Sequence, residues 1–153
     1  YNISTPLMFH LLDFASKIQD MMFMLQKEVV ERITAQPGGK NYGRLSVMVQ
    51  AHCSVEKILD VGPGAFSPPP KVASAVIRLV PHKCPLVDQE LMEVFARLVK
   101  AAFAQRRKTL RNNLEGLLTE AEISDAGIDP SARAETLSVE EFIALTRHYL
   151  QPG

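Results

Sequence analysis

Apolar positions recur with different periods along the first half of the chain. Leu7, Leu11, Phe14 and Ile18 fall on one stripe at helical spacing, which predicts a helix over residues 4–17. Ser4 or Thr5 can cap it, and Pro6 suits its first turn. After Asp20 the run Met21-Met-Phe-Met-Leu25 shows no alternation. Such a run predicts a strand buried on both faces, hence a parallel, helix-covered sheet. Residues 27–35 predict a second helix, closed by Pro37-Gly38-Gly39, and residues 44–52 a third. Residues 55–61 and 73–80 predict two strands, close enough in sequence to pair antiparallel. Pro81 and Pro85, with a local change of charge, mark a boundary near residues 81–87. Beyond it, residues 88–104, 109–118, 119–126 and 138–150 all carry helical periodicity. The last of these opens with a capping box, Ser138-Val-Glu-Glu141. The first half therefore predicts an α/β unit and the second a small helical bundle.

Composition narrows this picture only a little. A chain of 153 residues makes one ordinary domain, or a part-domain with an appendage, and 46% hydrophobic content excludes disorder. Lys+Arg and Asp+Glu balance at 17 each, so net charge points to no partner. The distribution is more informative. Arg97, Lys100, Arg106, Arg107, Lys108 and Arg111 follow one another without an intervening acid. On a helix running unbroken through Gln105, Lys100, Arg107 and Arg111 would share a face, while Val99, Phe103, Leu110 and Leu114 would line another. Such a run is either a solvated face or a grip on nucleic-acid phosphates.

Cys53 and Cys84 have no CxxC spacing and read as reduced cytosolic thiols. His10, His52, His82 and His148 are scattered without ligand spacing, so no metal site is expected. No apolar run reaches the ~20 residues that span a bilayer. The first residue is Tyr1, already inside a structured-looking segment, which predicts further residues ahead of it.

The stretch ILDVGPGAF, residues 58–66, has the look of a cofactor loop. An apolar run ends in an acid and then in Gly-x-Gly. A loop that cradles phosphate must feed a helix, whose first amides and dipole hold the anion. Here Ser67 and three prolines follow, which supply no amide donors across the proline run, and then another strand. The stretch is thus expected not to hold a cofactor. Two readings of Phe66 stay open on the residues alone: a ring held outward by a stiff connector, or a ring packed into the core beside a hairpin turn.

Three motifs fall in the order of a known family. They are YNISTP at residues 1–6, FSPPPKVAS at residues 66–74, and QRRKTLRN at residues 105–112. Together they resemble the KsgA/RsmA-type small-subunit (16S) rRNA adenine-N6 dimethyltransferases. The resemblance runs essentially from end to end. It implies the back half of a Rossmann-like class I methyltransferase sheet over residues 1–82, then a small helical rRNA-binding domain over residues 83–153. It also implies that Tyr1 ends an Asn-Leu-Pro-Tyr motif, and that the S-adenosylmethionine (SAM) loop lies upstream of Tyr1, leaving no cofactor-binding residue in this chain.

In that family's chemistry the exocyclic amine of adenine is aligned with the methyl donor after the base leaves its stack. The resemblance makes Tyr1 and Phe66 the catalytic aromatic slot. Lys71, Arg106, Arg107, Lys108 and Arg111 become RNA-binding residues, with Arg44 as an extension of the patch. The implied partner is the small ribosomal subunit, in the cytoplasm, with neither membrane nor metal. The implied whole reaction is SAM-dependent dimethylation of two adjacent adenines near the 3′ end of 16S rRNA, with this stretch inactive alone. The rival reading is a non-catalytic RNA- or ribosome-binding module acting in assembly. A DNA-binding helix-turn-helix finds no support, because no basic recognition helix follows Ala126-Gly-Ile-Asp-Pro130. Without the first strands of the sheet, an open edge would favour oligomers.

Overall fold

A computed structural model describes residues 4–12, 19–62, 64, 72–82 and 86–151. Its first half holds α1 (Ser4–Leu12), β1 (Met21–Gln26), α2 (Lys27–Thr34), α3 (Arg44–His52), β2 (Cys53–Val61) and β3 (Ser74–Pro81). The second half is helical: α4 (Gln89–Ala102), α5 (Leu110–Asn113), α6 (Glu120–Asp125), a 3₁₀ turn at Ala134–Thr136 and α7 (Val139–Leu150).

The three strands form one antiparallel sheet in the order β1-β3-β2. This corrects the parallel, two-sided reading of the Met21–Leu25 run. Met21 and Leu25 are buried, but Met22 and Met24 are 58% and 43% exposed on the opposite face. The alternation was invisible because both faces of the strand are apolar. The inner face joins Ala75, Ile77, Leu79 and Cys53 to Val30 and Ile33 of α2, Val49 of α3 and Met8 of α1. In α1 Met8 is fully buried, while Leu7 of the expected stripe is 47% exposed. The β2–β3 hairpin is as expected, with a register slip between Lys57 and Leu59 that leaves Ile58 and Leu59 exposed.

A second core fills the helical half, built on Phe95, Val99, Leu110, Leu114, Ile123, Leu137 and Phe142. Helix α3 serves both cores: Val49 faces the sheet, whereas Val47 and Ala51 face the helices. Tyr42, just ahead of α3, also belongs to the helical core. Its hydroxyl donates to the Leu137 carbonyl at 2.7 Å, and its ring meets Phe103 edge-on, with centroids 6.4 Å apart. Nearby, the Gly38 amide donates to the Glu135 carbonyl at 2.7 Å. Gly38 takes φ +90°, a conformation that favours glycine, so the turn before α3 is shaped to reach across. The two halves are pinned through residues 38–42 as well as through the chain that links them.

Helix ends in the second half are closed by local chemistry. The expected box at α7 is present: Ser138 N–H donates to Glu141 Oε1 at 3.0 Å, and Glu141 N–H to Ser138 Oγ at 3.2 Å. Thr119 and Glu122 form the same box at α6, with both bonds at 3.1 Å. At the other end of α6, Gly127 N–H donates to Ser124 and Ile128 N–H to Ile123, with Gly127 at φ +85°. This is a Schellman stop, and buried Ile123 and Ile128 supply its apolar contact.

Candidate nucleic-acid interface

The basic run does not lie on one helix. Helix α4 ends at Ala102, and residues 103–109 form turns before α5 begins. The break falls where the separate predicted helices 88–104 and 109–118 leave room for it, around Gln105, so Lys100, Arg107 and Arg111 do not share a helical face. Val99, Leu110 and Leu114 are nonetheless all fully buried, with Phe103 packed against them. The chain breaks because its apolar residues must enter the core from two directions. Arg106, Arg107 and Lys108 are left on an exposed loop.

That loop is held by bonds from neighbouring segments. Asn113 donates its side-chain amide to the carbonyls of Ala102, at 2.8 Å, and Gln105, at 3.0 Å. It closes the open end of α4 from α5. The start of α5 is satisfied in turn by another loop: Leu110 N–H donates to Ala132 O at 2.8 Å and Arg111 N–H to Pro130 O at 3.0 Å. Those carbonyls are aimed by an Asx turn in which Asp129 accepts from Ser131 N–H and Oγ–H at 2.9 and 2.7 Å. The Ser131 bonds hold the Asp129 carboxyl below its usual range.

The cations of the run differ in how free they are. Arg106 donates to the Lys40 carbonyl at 2.6 Å and stands 3.7 Å from Glu135. Arg111 lies 3.6 Å from Glu120. Arg97 donates to the Tyr149 hydroxyl at 3.2 Å and sits over its ring. Among the described residues, Lys100, Arg107 and Lys108 are in no ion pair, and Arg107 and Lys108 stand together on the exposed loop, open to an incoming anion. Tyr1, Phe66 and Lys71 lie outside the described residues.

Arg44 lies at the start of α3, where it meets residues the spacing did not single out. Arg32, Lys40, Arg44 and Arg106 line one cleft of about 360 Å³. Its floor is fixed from α3: Ser46 Oγ donates to the Arg32 carbonyl, and Gln50 donates to the carbonyls of Ile33 and Ala35 at 2.8 Å each. These bonds close the end of α2 and hold Arg32 beside the α3 N-terminus. Asn113, Arg32, Lys40 and Glu135 are the residues that the sequence reading missed. They act across segments far apart in the chain, so no local pattern marks them.

Strands β2 and β3 pair antiparallel up to Val61 opposite Ser74, so the stretch that begins Asp60-Val-Gly leaves one strand of a hairpin and the chain returns as the other. Cys53 is 1% exposed and its thiol is pushed up to about 12 by burial, which leaves it unsuited as a nucleophile. Among the described residues, no group of His, Cys, Asp or Glu could hold a metal, and no helix is long and apolar enough to cross a membrane.

Similarity to known proteins runs along nearly the whole chain. The family described as "Ribosomal RNA adenine dimethylase" matches residues 1–151. A protein named "Ribosomal RNA small subunit methyltransferase A" from Pseudomonas fluorescens is 60% identical over 148 residues, covering 95% of this chain and 54% of its own length. Its namesake from Nitrosococcus oceani is 56% identical, covering 99% of this chain and 57% of itself. The chain thus spans about half the length of these curated relatives. Among solved structures, a dimethyladenosine transferase from Plasmodium falciparum superposes with a TM-score of 0.82 at 26% identity, covering 95% of this chain and 63% of that one. The 23S rRNA methyltransferase ErmE superposes at 0.66 with 24% identity, covering 99% and 62%, a likeness of fold alone.

Proposed function

Because the chain belongs to the ribosomal RNA adenine dimethylase family, we propose that it supplies the target-base slot and the rRNA grip of a SAM-dependent adenine-N6 dimethyltransferase. The substrate is the small ribosomal subunit, a cytoplasmic particle. The product is dimethylated adenine at two adjacent positions near the 3′ end of 16S rRNA. The family match along residues 1–151 carries this reading.

On this reading the three strands are the back half of a Rossmann-like class I methyltransferase sheet. The exposed Met22 and Met24 support it, since an apolar outer face and an open β1 edge suit further layers of the same domain. SAM supplies the methyl group, and its site is assigned to residues ahead of Tyr1. This chain's own work is to hold the base and the RNA. Tyr1 and Phe66 form the two faces of a slot for the flipped adenine, each stacking contact contributing about 1–3 kcal/mol. Lys71 lies close to Phe66 in the chain and meets the phosphate of that nucleotide. Arg107 and Lys108 grip the rRNA backbone, which positions the enzyme without reading sequence.

The test joins this chain to the preceding residues of the Pseudomonas fluorescens relative and measures methyl transfer to undermethylated small subunits. Phe66→Ala should abolish transfer and leave subunit binding nearly unchanged. Equal loss of both would remove Phe66 from the slot. Transfer at the parent rate would do so too.

A further inference from the structure

Four cations drawn from separate stretches converge on the cleft between the Lys40–Arg44 segment and the basic loop. Arg32 comes from α2, Lys40 from the turn after it, Arg44 from the first turn of α3, and Arg106 from the helical half. Among the described residues, no carboxylate lines this space. Like charges brought together repel, and a fold that retains such a group leaves a strong local field for an anion. The acids that temper it stand to the side. Glu28 holds Arg32 at 2.7 Å, and Glu135 stands 3.7 Å from Arg106. Lys40 and Arg44 are in no ion pair among the described residues. The first turn of α3 lines the same space, where helix geometry leaves amides without intrahelical acceptors.

We propose that this cleft seats one phosphodiester group of the bound RNA, and that Glu135 is its internal competitor. The anion's identity as RNA rests on the reading above, whereas the convergence of cations does not. Arg106 adjoins Arg107 in sequence, so a strand gripped by the exposed loop passes directly to the cleft. The Glu135 carboxylate lies beyond the distance of a charge-assisted hydrogen bond, and Arg106 is 67% exposed. Such a pair is weak and is readily exchanged for a phosphate oxygen. Arg106 also reaches the Lys40 carbonyl, which keeps it over the cleft when Glu135 lets go.

The experiment measures binding of the 153-residue chain to a short fluorescein-labelled single-stranded RNA by anisotropy, between about 50 and 200 mM salt. Lys40→Gln/Arg44→Gln should weaken binding and make the slope of log K against log salt shallower by about 1. Glu135→Gln should tighten binding by roughly 1.5- to 5-fold, the range expected on releasing an exposed pair. A misfolded variant would not bind more tightly, so this arm stands independently of folding. The bond from Gly38 uses the Glu135 backbone and survives the change. An unchanged slope in Lys40→Gln/Arg44→Gln, with Arg107→Gln still weakening binding, overturns the cleft and leaves the RNA reading standing. If Arg107→Gln is also without effect, the RNA reading fails and the cleft with it.

Discussion

Tyr42 ties the sheet half to the helical core, and Tyr42→Phe tests that tie with a pH signature of its own. The substitution keeps the ring contact with Phe103 and removes the 2.7 Å bond to the Leu137 carbonyl. Leu137 is 2% exposed, so its carbonyl loses a partner in a place water does not readily reach. At neutral pH the cost is about 1–3 kcal/mol. Burial, with Glu140 and Glu141 adding to it, raises the Tyr42 phenol well above its usual value of 10.0. The bond is therefore fully present below pH 10, and its contribution is lost as pH rises, because the unfolded chain releases a proton that the folded one retains. The loss amounts to about 1.4 kcal/mol per pH unit. The wild-type advantage over Tyr42→Phe should shrink above pH 10 and vanish about one to two units higher. Urea unfolding followed by circular dichroism, at neutral pH and across the alkaline range, reads the difference. Every other group is common to both proteins and cancels. A gap that stays constant with pH would refute the reasoning, since Tyr42 would then ionise without leaving its site.

Other positions give simpler readings. Gly127→Ala meets no atom within 4 Å but must adopt φ +85°, so it should cost about 1 kcal/mol through backbone strain alone, seen as a lowered urea midpoint. The Thr109 hydroxyl is buried without a hydrogen-bond partner among the described residues, so Thr109→Val should raise stability by up to about 1 kcal/mol, measured by the same titration. Bonds from the Thr119 amide and hydroxyl hold the Glu122 carboxyl below its usual 4.5. Its support is therefore present at neutral pH and lost as pH falls below that value. Glu122→Gln should flatten the acid side of a plot of Tm against pH, while an unaltered acid limb would remove the capping box from the account.

Much of this architecture is legible along the chain because it is local. The capping box at Ser138 and the hairpin of β2 and β3 depend on neighbours in sequence. What was missed or misread depends on distant partners. The end of α4 at Ala102 is settled by Asn113 and by the demand that Leu110 and Leu114 enter the same core as Val99. The sequence reading already separates helices 88–104 and 109–118 around Gln105, but the residues that fix the break lie outside that stretch. The direction of β1 was hidden for a similar reason. Its partner β3 lies some fifty residues on, and the methionines on its outer face erase the alternation that would have marked a one-sided strand. The basic motif was plain in sequence, but not its division into paired and free cations. Glu135 and Glu120 reach Arg106 and Arg111 through the fold, while Arg107 and Lys108 stay open.

The most direct measurement is co-sedimentation of the 153-residue chain with small ribosomal subunits that lack dimethylated adenines, repeated at rising salt. The chain should bind on its own, and Arg107→Gln/Lys108→Gln should detach at clearly lower salt than the parent. A chain that fails to bind, or a double variant that holds as firmly as the parent, would contradict the assignment of the exposed basic loop as the grip on rRNA.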